Sequence, residues 1–351
     1  MNESSNKRVI IWLLCGCFVI FAMVEIGGIT RLTGSGLSIT EWNVIMGTIP
    51  PLNAQQWQEA FDKYKTIPQY QLVNYDFTLS DFKNIFMWEY LHRLVGRLLG
   101  VVFLLPFAWF LITKQLDRAM IRKSLFLFAL GGLQGFLGWY MVSSGLTEHT
   151  SVSQYRLAVH LITAFITYGF TFWFALELMY RNQKSGVINK SSLSNLVKLI
   201  FITVVLQIIY GAFVAGLHAG KIANTWPTMD GAWVPDGMAS MSPWWKNFFE
   251  NLLCVQFIHR SLAIIIVGLS SWLWFASRKT AGKSINAVQF AGINFLLFAI
   301  SVQFVLGVFT LLTKVQIALA VFHQMGAFML FSACVFLLFQ SYKTSCKHTR
   351  N

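Results

Sequence analysis

The sequence predicts an all-α polytopic membrane protein with eight transmembrane helices, arranged as two pseudo-symmetric four-helix bundles. Hydrophobic residues make up 56% of the 351 residues and charged residues only 12%, which is typical of a chain built mostly of membrane spans. Apolar segments of spanning length occur eight times, and the second half of the chain repeats motifs of the first half. The segments cover residues 9–30, 87–112, 125–143, 157–180, 199–217, 252–275, 287–312 and 317–339.

The net charge of +13 is unevenly distributed between the two sides of the predicted membrane. If the N-terminus lies inside, the inner segments contain 16 basic and three acidic residues, and the outer side contains 11 of each. This is the positive-inside asymmetry of membrane proteins. We therefore expect both termini on the cytoplasmic or the equivalent matrix side, and the predicted location is an integral protein of the bacterial inner (cytoplasmic) membrane with both termini cytoplasmic. The partner of the basic residues is then the lipid bilayer, and nucleic acid is excluded as a partner.

The first outer loop, residues 30–86, is far longer than its counterpart in the second half. A run rich in glycine and hydroxyl residues leads into it from Gly27, and its backbone N–H groups could bind an anionic group. A plain glycine-rich helix exit is the alternative. Further along, Asn53 is a candidate helix cap, and the helix that follows has an aromatic face. We expect this short helix to lie in the membrane interface over the bundle mouth, as simple packing or as a lid. The aromatic residues are Trp57, Phe61 and Tyr64.

Matching residues recur at similar distances in the two halves of the chain. The separation is 167 residues between His92 and His259, and 163 between His160 and His323. Such regular offsets indicate a duplication of a four-span unit. The sequence therefore predicts an N-terminal half over residues 1–183 and a C-terminal half over residues 184–351. Because each half has an even number of spans, the two halves have the same orientation in the membrane.

The four histidines are predicted near the outward ends of the even-numbered spans. A single membrane histidine is most often a hydrogen-bonded packing residue, but four at matching depths favour metal binding. Within each half the two imidazoles can face each other across a four-helix bundle. Pairs of imidazoles without cysteine or carboxylate clusters suit haem iron, whereas zinc prefers closed tetrahedral sites. The predicted iron ligands are His92, His160, His259 and His323.

Three arginines near these histidines are candidate cofactor-binding residues. Arg93, Arg97 and Arg260 could meet haem propionates through charge-assisted hydrogen bonds. Snorkelling to lipid phosphates is the alternative. The remaining histidines, at positions 149, 218 and 348, are expected to be solvated residues of loops and the tail.

One position distinguishes the two halves chemically. Glu89 precedes His92 by three residues, and Gln256 holds the same position before His259. An ionisable carboxylate beside a haem edge can accept a proton or stabilise a developing cation, and an amide cannot. We therefore expect chemistry in the first half and a permanently held electron-transfer haem in the second. The alternative is that Glu89 is a structural partner of Arg93 or of a backbone group.

These motifs together resemble the haem A synthase family, in particular its proteobacterial and mitochondrial branch. The resemblance covers nearly the whole chain. It implies oxidation of the C8 methyl of haem O to the formyl group of haem A, for cytochrome oxidase assembly, by successive hydroxylations with oxygen from water. The residues that match are Gly28 to Trp42, Gly47, Pro50, Pro51, Trp88, Glu89, His92, Arg93, His160, His259, Arg260 and His323.

The resemblance also implies roles for individual residues and partners. Glu89, His92 and His160 are the expected catalytic residues, with the two histidines bracketing the substrate haem, and His259 and His323 are the expected ligands of a haem b. Haem O is the expected substrate, supplied by a haem O synthase, and the electron acceptor is unidentified. The oligomeric state stays open, a homo-oligomer included. Other family members have a cysteine pair in the first outer loop, which this sequence lacks.

Two other functions are compatible with paired histidines. The first is a di-haem membrane electron carrier of the cytochrome b type, which predicts two equivalent haems and no need for Glu89. The second is a haem transporter or chaperone, which predicts exchangeable haem whose chemistry does not change.

Overall fold

The computed structural model describes residues 3–41, 48–147, 150–181, 191–279 and 285–348. Within these ranges the regular structure is helical, and Met229 and Ala232 form an isolated β-bridge. Eight of the helices are long and apolar enough to cross a membrane, which confirms the predicted spans and makes the chain an integral membrane protein.

The eight spans are α1, α4 to α7 and α9 to α11; the other helices are short. The bounds are α1 Glu3–Leu32, α2 Ala54–Tyr64, α3 Pro68–Leu72, α4 Leu79–Ile112, α5 Arg118–Thr147, α6 Gln154–Met179, α7 Ser191–Gly216, α8 Asn247–Glu250, α9 Leu252–Arg278, α10 Ala287–Leu312 and α11 Ile317–His348.

The chain divides into two compact units, Met1–Tyr168 and Gly169–Asn351, which we call the N-terminal and the C-terminal unit. In the N-terminal unit α1 packs along α4, and α4 also contacts α2 and α5. In the C-terminal unit α7 packs on α9 and α11, and α10 packs on α9 and α11. This arrangement is consistent with the predicted bundles, and the boundary predicted between residues 183 and 184 stays a prediction.

Helix α4 begins about two turns before the predicted span. Its first residue is Leu79, where the sequence analysis started the segment at Met87. A capping box explains the earlier start, because the Thr78 side chain accepts from the Asp81 backbone N–H and the Asp81 side chain accepts from the backbone of Thr78. The extra turns project the helix into the outer loop, where they can pack against other parts of that loop.

The short helix predicted in the outer loop is confirmed as α2. Asn53 caps it by accepting a hydrogen bond of 2.9 Å from the Gln56 backbone N–H. Its aromatic face packs on the outer turns of α4: the Trp57 and Phe86 rings are 5.0 Å apart and the Phe61 and Phe82 rings are 5.1 Å apart. The aromatic face of α2 is therefore covered by protein. We call this cluster the aromatic cap; its buried members are Leu37, Phe61, Tyr64, Ile67, Phe82, Ile85 and Phe86.

Candidate functional site

The structure brings the four predicted histidines together as two pairs, one in each unit. His92 on α4 lies close enough to His160 on α6 for an electrostatic interaction, and His259 on α9 has the same relation to His323 on α11. All four side chains are partly buried. In each of them the Nδ1 atom is buried, and the imidazoles of His92, His259 and His323 lie within hydrogen-bonding reach of a backbone group.

The two imidazoles of each unit are the candidate ligands of a bound group. Nowhere in the described ranges do three or more His, Cys, Asp or Glu side chains come together to hold a metal ion. The candidate ligand set in each unit is therefore a pair of histidines. Two imidazoles with no thiolate or carboxylate beside them are a ligand set that suits haem iron.

Glu89 lies on α4, three residues before His92, and is almost completely buried, with 3% of its surface exposed. One carboxylate oxygen accepts from the Ser38 hydroxyl at 2.8 Å and from the Ile39 backbone N–H at 2.9 Å. The other accepts from Arg93 Nη2 at 2.6 Å and Nε at 3.1 Å. Four donors therefore converge on the two oxygens, and Glu89 ties the end of the glycine-rich run to α4.

The anionic group that the glycine-rich run binds is thus a side chain of the protein itself. The sequence predicted free N–H groups in this run, and the N–H of Ile39 is one of them. Its partner, 50 residues further along the chain, is a contact that local patterns do not reveal.

Arg93 completes the same arrangement. Besides binding Glu89, its Nη1 donates to the Glu41 carbonyl and its Nη2 to the Ile39 carbonyl, both at 2.9 Å. We call Glu89 and Arg93, with the loop residues Ser38 to Glu41 that they hold, the N-terminal clamp. Arg93 was predicted to bind a cofactor, and in this structure its hydrogen bonds serve the clamp.

An equivalent clamp occurs in the C-terminal unit, with a different chemistry at its centre. Gln256, 2% exposed, donates through Nε2 to the carbonyls of Ala219 at 2.9 Å and Ile222 at 2.7 Å. Its Oε1 accepts from Arg260 Nη2 at 3.2 Å. Arg260 also donates to three loop carbonyls, so it too serves the loop. These carbonyls belong to Ala223, Thr225 and Thr228.

Arg97 lies one turn further into α4 and lines a cavity of about 470 Å³ that adjoins the N-terminal clamp. Tyr90 and the exposed ion pair between Lys63 and Glu41 border the same cavity. The Lys63 Nζ lies 2.6 Å from a Glu41 oxygen, and this hydrogen bond raises the pKa of Lys63 above its ordinary value.

The other histidines stand apart from the two pairs. His218 is exposed in the loop after α7 and has a positive φ of 55°, which confirms the prediction of a surface loop residue. His149 and the side chain of His348 lie outside the described residues.

Residues next to the histidines were missed by the sequence analysis. The Gln207 side-chain nitrogen lies 3.3 Å from His259 Nε2. Gln134 donates to the His160 backbone carbonyl at 3.3 Å. Four glycines also touch the imidazoles, at Gly27, Gly138, Gly211 and Gly307. The repeated spacing of Gln134 with Gly138 and of Gln303 with Gly307 was the available signal.

Comparisons with known proteins agree with this geometry. A family model described as "Cytochrome oxidase assembly protein" matches residues 10–335. A protein of Flavobacterium psychrophilum named "Heme A synthase" is 46% identical over 338 residues, which cover 95% of this chain and 98% of that protein. A namesake from Flavobacterium johnsoniae is 47% identical over 341 residues, covering 96% and 98%.

The similarity extends to Parvibaculum lavamentivorans, whose "Heme A synthase" is 47% identical over 335 residues, covering 95% of this chain and 94% of that protein. Identity at this level over almost the full length of both proteins, together with a family model that spans nearly every membrane helix, settles the family. The chain belongs to the cytochrome oxidase assembly protein family that includes these haem A synthases.

Proposed function

We propose that this protein is a haem A synthase that oxidises the C8 methyl of haem O to the formyl group of haem A, for cytochrome oxidase assembly. The observation that carries the proposal is the pair of imidazoles in each unit, next to outer-loop clamps that differ by one charged side chain. Two successive hydroxylations with oxygen from water, followed by loss of water, convert a methyl to a formyl group. Each hydroxylation releases two electrons and two protons.

The N-terminal unit is the proposed substrate site. His92 and His160 approach each other from α4 and α6, and they bracket the substrate in this proposal. Glu89 and His92 are three residues apart, so both project from the same face of α4. Glu89 is therefore held beside the substrate site, and it is the proposed acceptor for protons released from the methyl group.

Proton acceptance by Glu89 requires one of its four donors to move. Ser38 is the candidate, because its Oγ lies 2.8 Å from Glu89 and 3.4 Å from the Ile85 carbonyl. One hydroxyl hydrogen can serve only one of these acceptors at a time. Rotation of the hydroxyl towards Ile85 would open a lone pair on Glu89 while Ile39 and Arg93 still hold the carboxylate in place.

The C-terminal unit is the proposed site of a resident haem b, held by His259 and His323. When bound, this group supplies a one-electron carrier between the substrate site and the external acceptor. Gln256 takes the place of Glu89 here and donates to backbone carbonyls, so this unit holds no carboxylate that could accept a proton at that position.

The proposed setting follows from the charge distribution and from the reaction. Basic residues on the inner segments support an inner-membrane location with both termini in the cytoplasm. A haem O synthase is the proposed supplier of the substrate, and the electrons leave to an acceptor of unidentified nature.

Haem extraction from protein purified from cells that also make haem O tests the proposal. Pyridine haemochrome spectra and chromatography should show haem B together with haem O, haem A or a hydroxylated intermediate. His323→Ala should lose haem B and keep the substrate haem, and His92→Ala should do the reverse. Haem B alone in two equal copies would instead support an electron carrier, and freely exchangeable, unmodified haem would support a transporter.

A further inference from the structure

Each of the four histidines packs its ring edge against a glycine on the membrane helix that precedes its own. A Cβ atom added to any of these glycines would come within 3.4 Å of the imidazole Cε1. The distance from the added Cβ atom to the imidazole Cε1 would be 3.0 Å at Gly27 for His92 and 3.4 Å at Gly138 for His160. It would be 3.3 Å at Gly211 for His259 and 2.9 Å at Gly307 for His323.

Other helical glycines do not share this property. A Cβ added at Gly100 on α4, at Gly131 on α5 or at Gly268 on α9 would meet no atom within 4 Å. Among the glycines compared, the contact with an imidazole is therefore found at four positions, one for each histidine, and it is not a general consequence of glycine in these helices.

The turn before each glycine also contributes to the contact. The backbones of Gln207 and Gln303, four residues before Gly211 and Gly307, lie within hydrogen-bonding reach of the imidazoles of His259 and His323. The Met23 backbone, four residues before Gly27, has the same relation to His92. At the fourth position Gln134 donates to the His160 carbonyl, as described above. The rings of His92, His259 and His323 thus rest in a notch formed by a glycine and the helical turn that precedes it, whereas at His160 the glycine alone meets the ring.

A notch of this kind limits where the imidazole can be. Real Cβ atoms essentially never approach another heavy atom closer than 3.0 Å, so at Gly307 a methyl group would displace the His323 ring or separate α10 from α11. An iron ligand must hold its nitrogen within a few tenths of an ångström of the productive position. The axial ligand and its surroundings are also the means by which a protein sets the properties of haem iron.

We propose that Gly27, Gly211 and Gly307 are positioning residues that set the placement of the haem-ligating imidazoles of His92, His259 and His323. This inference rests on the proposed function, because it takes the histidines to be iron ligands. The distances rank the effects of alanine: largest at Gly307, then Gly27, then Gly211, and smallest at Gly138, where 3.4 Å is an ordinary contact.

The experiment compares alanine variants in the C-terminal unit, where the resident haem gives a signal independent of turnover. Gly307→Ala, Gly211→Ala and the matched control Gly268→Ala are purified, and their haem b content, low-spin electron paramagnetic resonance signal and reduction potential are measured. We expect Gly307→Ala to lose part of its haem b and to convert part of the remainder to a high-spin form. Gly211→Ala should shift the low-spin signal and the potential to a lesser degree, and Gly268→Ala should match the parent protein.

Thermal unfolding in detergent separates positioning from folding. A variant that unfolds at the parent temperature but has an altered haem signal supports the inference. The inference fails if Gly307→Ala keeps the parent signal and potential, or if Gly268→Ala changes them equally. The proposed function fails separately, if His323→Ala keeps its haem b.

Discussion

The two clamps have the same layout and opposite hydrogen-bonding polarity at their centres. In the N-terminal clamp Glu89 accepts from loop donors, the Ser38 hydroxyl and the Ile39 N–H. In the C-terminal clamp Gln256 donates to the loop carbonyls of Ala219 and Ile222. In both units an arginine four residues further along binds this side chain and donates to loop carbonyls as well.

The difference between Glu89 and Gln256 therefore has a structural as well as a chemical interpretation. From the sequence, a carboxylate in one half and an amide in the other indicated chemistry in the first half only. In the structure each side chain also matches the polarity of the loop that it holds, since a carboxylate is acceptor-only and an amide nitrogen is a donor. The position therefore has a structural role in both units, and the proposed proton transfer is an additional role in one.

Replacement of the carboxylate should have the largest effect on function. In Glu89→Gln the amide nitrogen would face either the donors of the loop or those of Arg93, so we expect loss of haem A formation. The haem proposed for the C-terminal unit should remain, because Glu89 belongs to the other unit. Chromatography of extracted haems measures both outcomes, and normal haem A production by this variant would remove Glu89 from the mechanism.

Loss of the aromatic cap should have the largest effect on stability. Phe82 is fully buried between α4 and α2, so we expect Phe82→Ala to lower the free energy of unfolding by about 3–5 kcal/mol. Phe248 on α8, in the segment between α7 and α9, is 40% exposed. Phe248→Ala is the matched control, with an expected change below about 0.5 kcal/mol. Thermal unfolding in detergent compares the two, and equal effects would show that the cap does not stabilise the N-terminal loop.

The reverse swap tests whether loop polarity determines the central residue. Gln256→Glu places carboxylate oxygens against the carbonyls of Ala219 and Ile222 and removes their donor, so we expect destabilisation of about 1–3 kcal/mol. Gln256→Met, which removes the donor without adding charge, is the comparison variant. If Gln256→Glu were as stable as the parent protein, the match between the side chain and the loop would make no contribution to the free energy of unfolding.

The smallest expected effect is that of Ser38→Ala. It removes one of the four donors to Glu89 and leaves Ile39 and Arg93 in place, so the cost in stability should be about 0.5–1.5 kcal/mol. Haem A formation should persist, with a slower rate if rotation of the hydroxyl assists proton transfer. An unchanged rate, measured under single-turnover conditions, would exclude Ser38 from that step.

Much of the fold was predictable because its determinants are local. A helix in a bilayer satisfies its own backbone hydrogen bonds, so hydropathy alone located the eight spans. The Asn53 cap and the aromatic face of α2 could also be predicted, because both depend on residues that are close in sequence. Helix α4 begins about two turns before the predicted apolar segment, because the capping box of Thr78 and Asp81 starts it there and hydropathy does not register such a cap.

The candidate site was predictable in part. Repeated offsets identified His92, His160, His259 and His323 by position, and the structure brings them together as the expected pairs. The assignment of Arg93, Arg97 and Arg260 to haem propionates stays a prediction. The described hydrogen bonds of Arg93 and Arg260 go to their own clamps. Their partners are loop carbonyls that lie 32 to 54 residues away in sequence. Contacts over such separations cannot be predicted from a local sequence pattern.

The sequence by itself therefore determined the membrane spans, their orientation as an expectation from charge, the paired histidines and the resemblance to a family. Only the tertiary structure decided which groups meet Glu89 and Gln256, and that each imidazole rests against a glycine of the preceding span. The physical reason is the separation of the interacting residues along the sequence. Hydropathy and helix caps depend on a few neighbouring residues, whereas the hydrogen bond from Ile39 to Glu89 joins residues 50 positions apart.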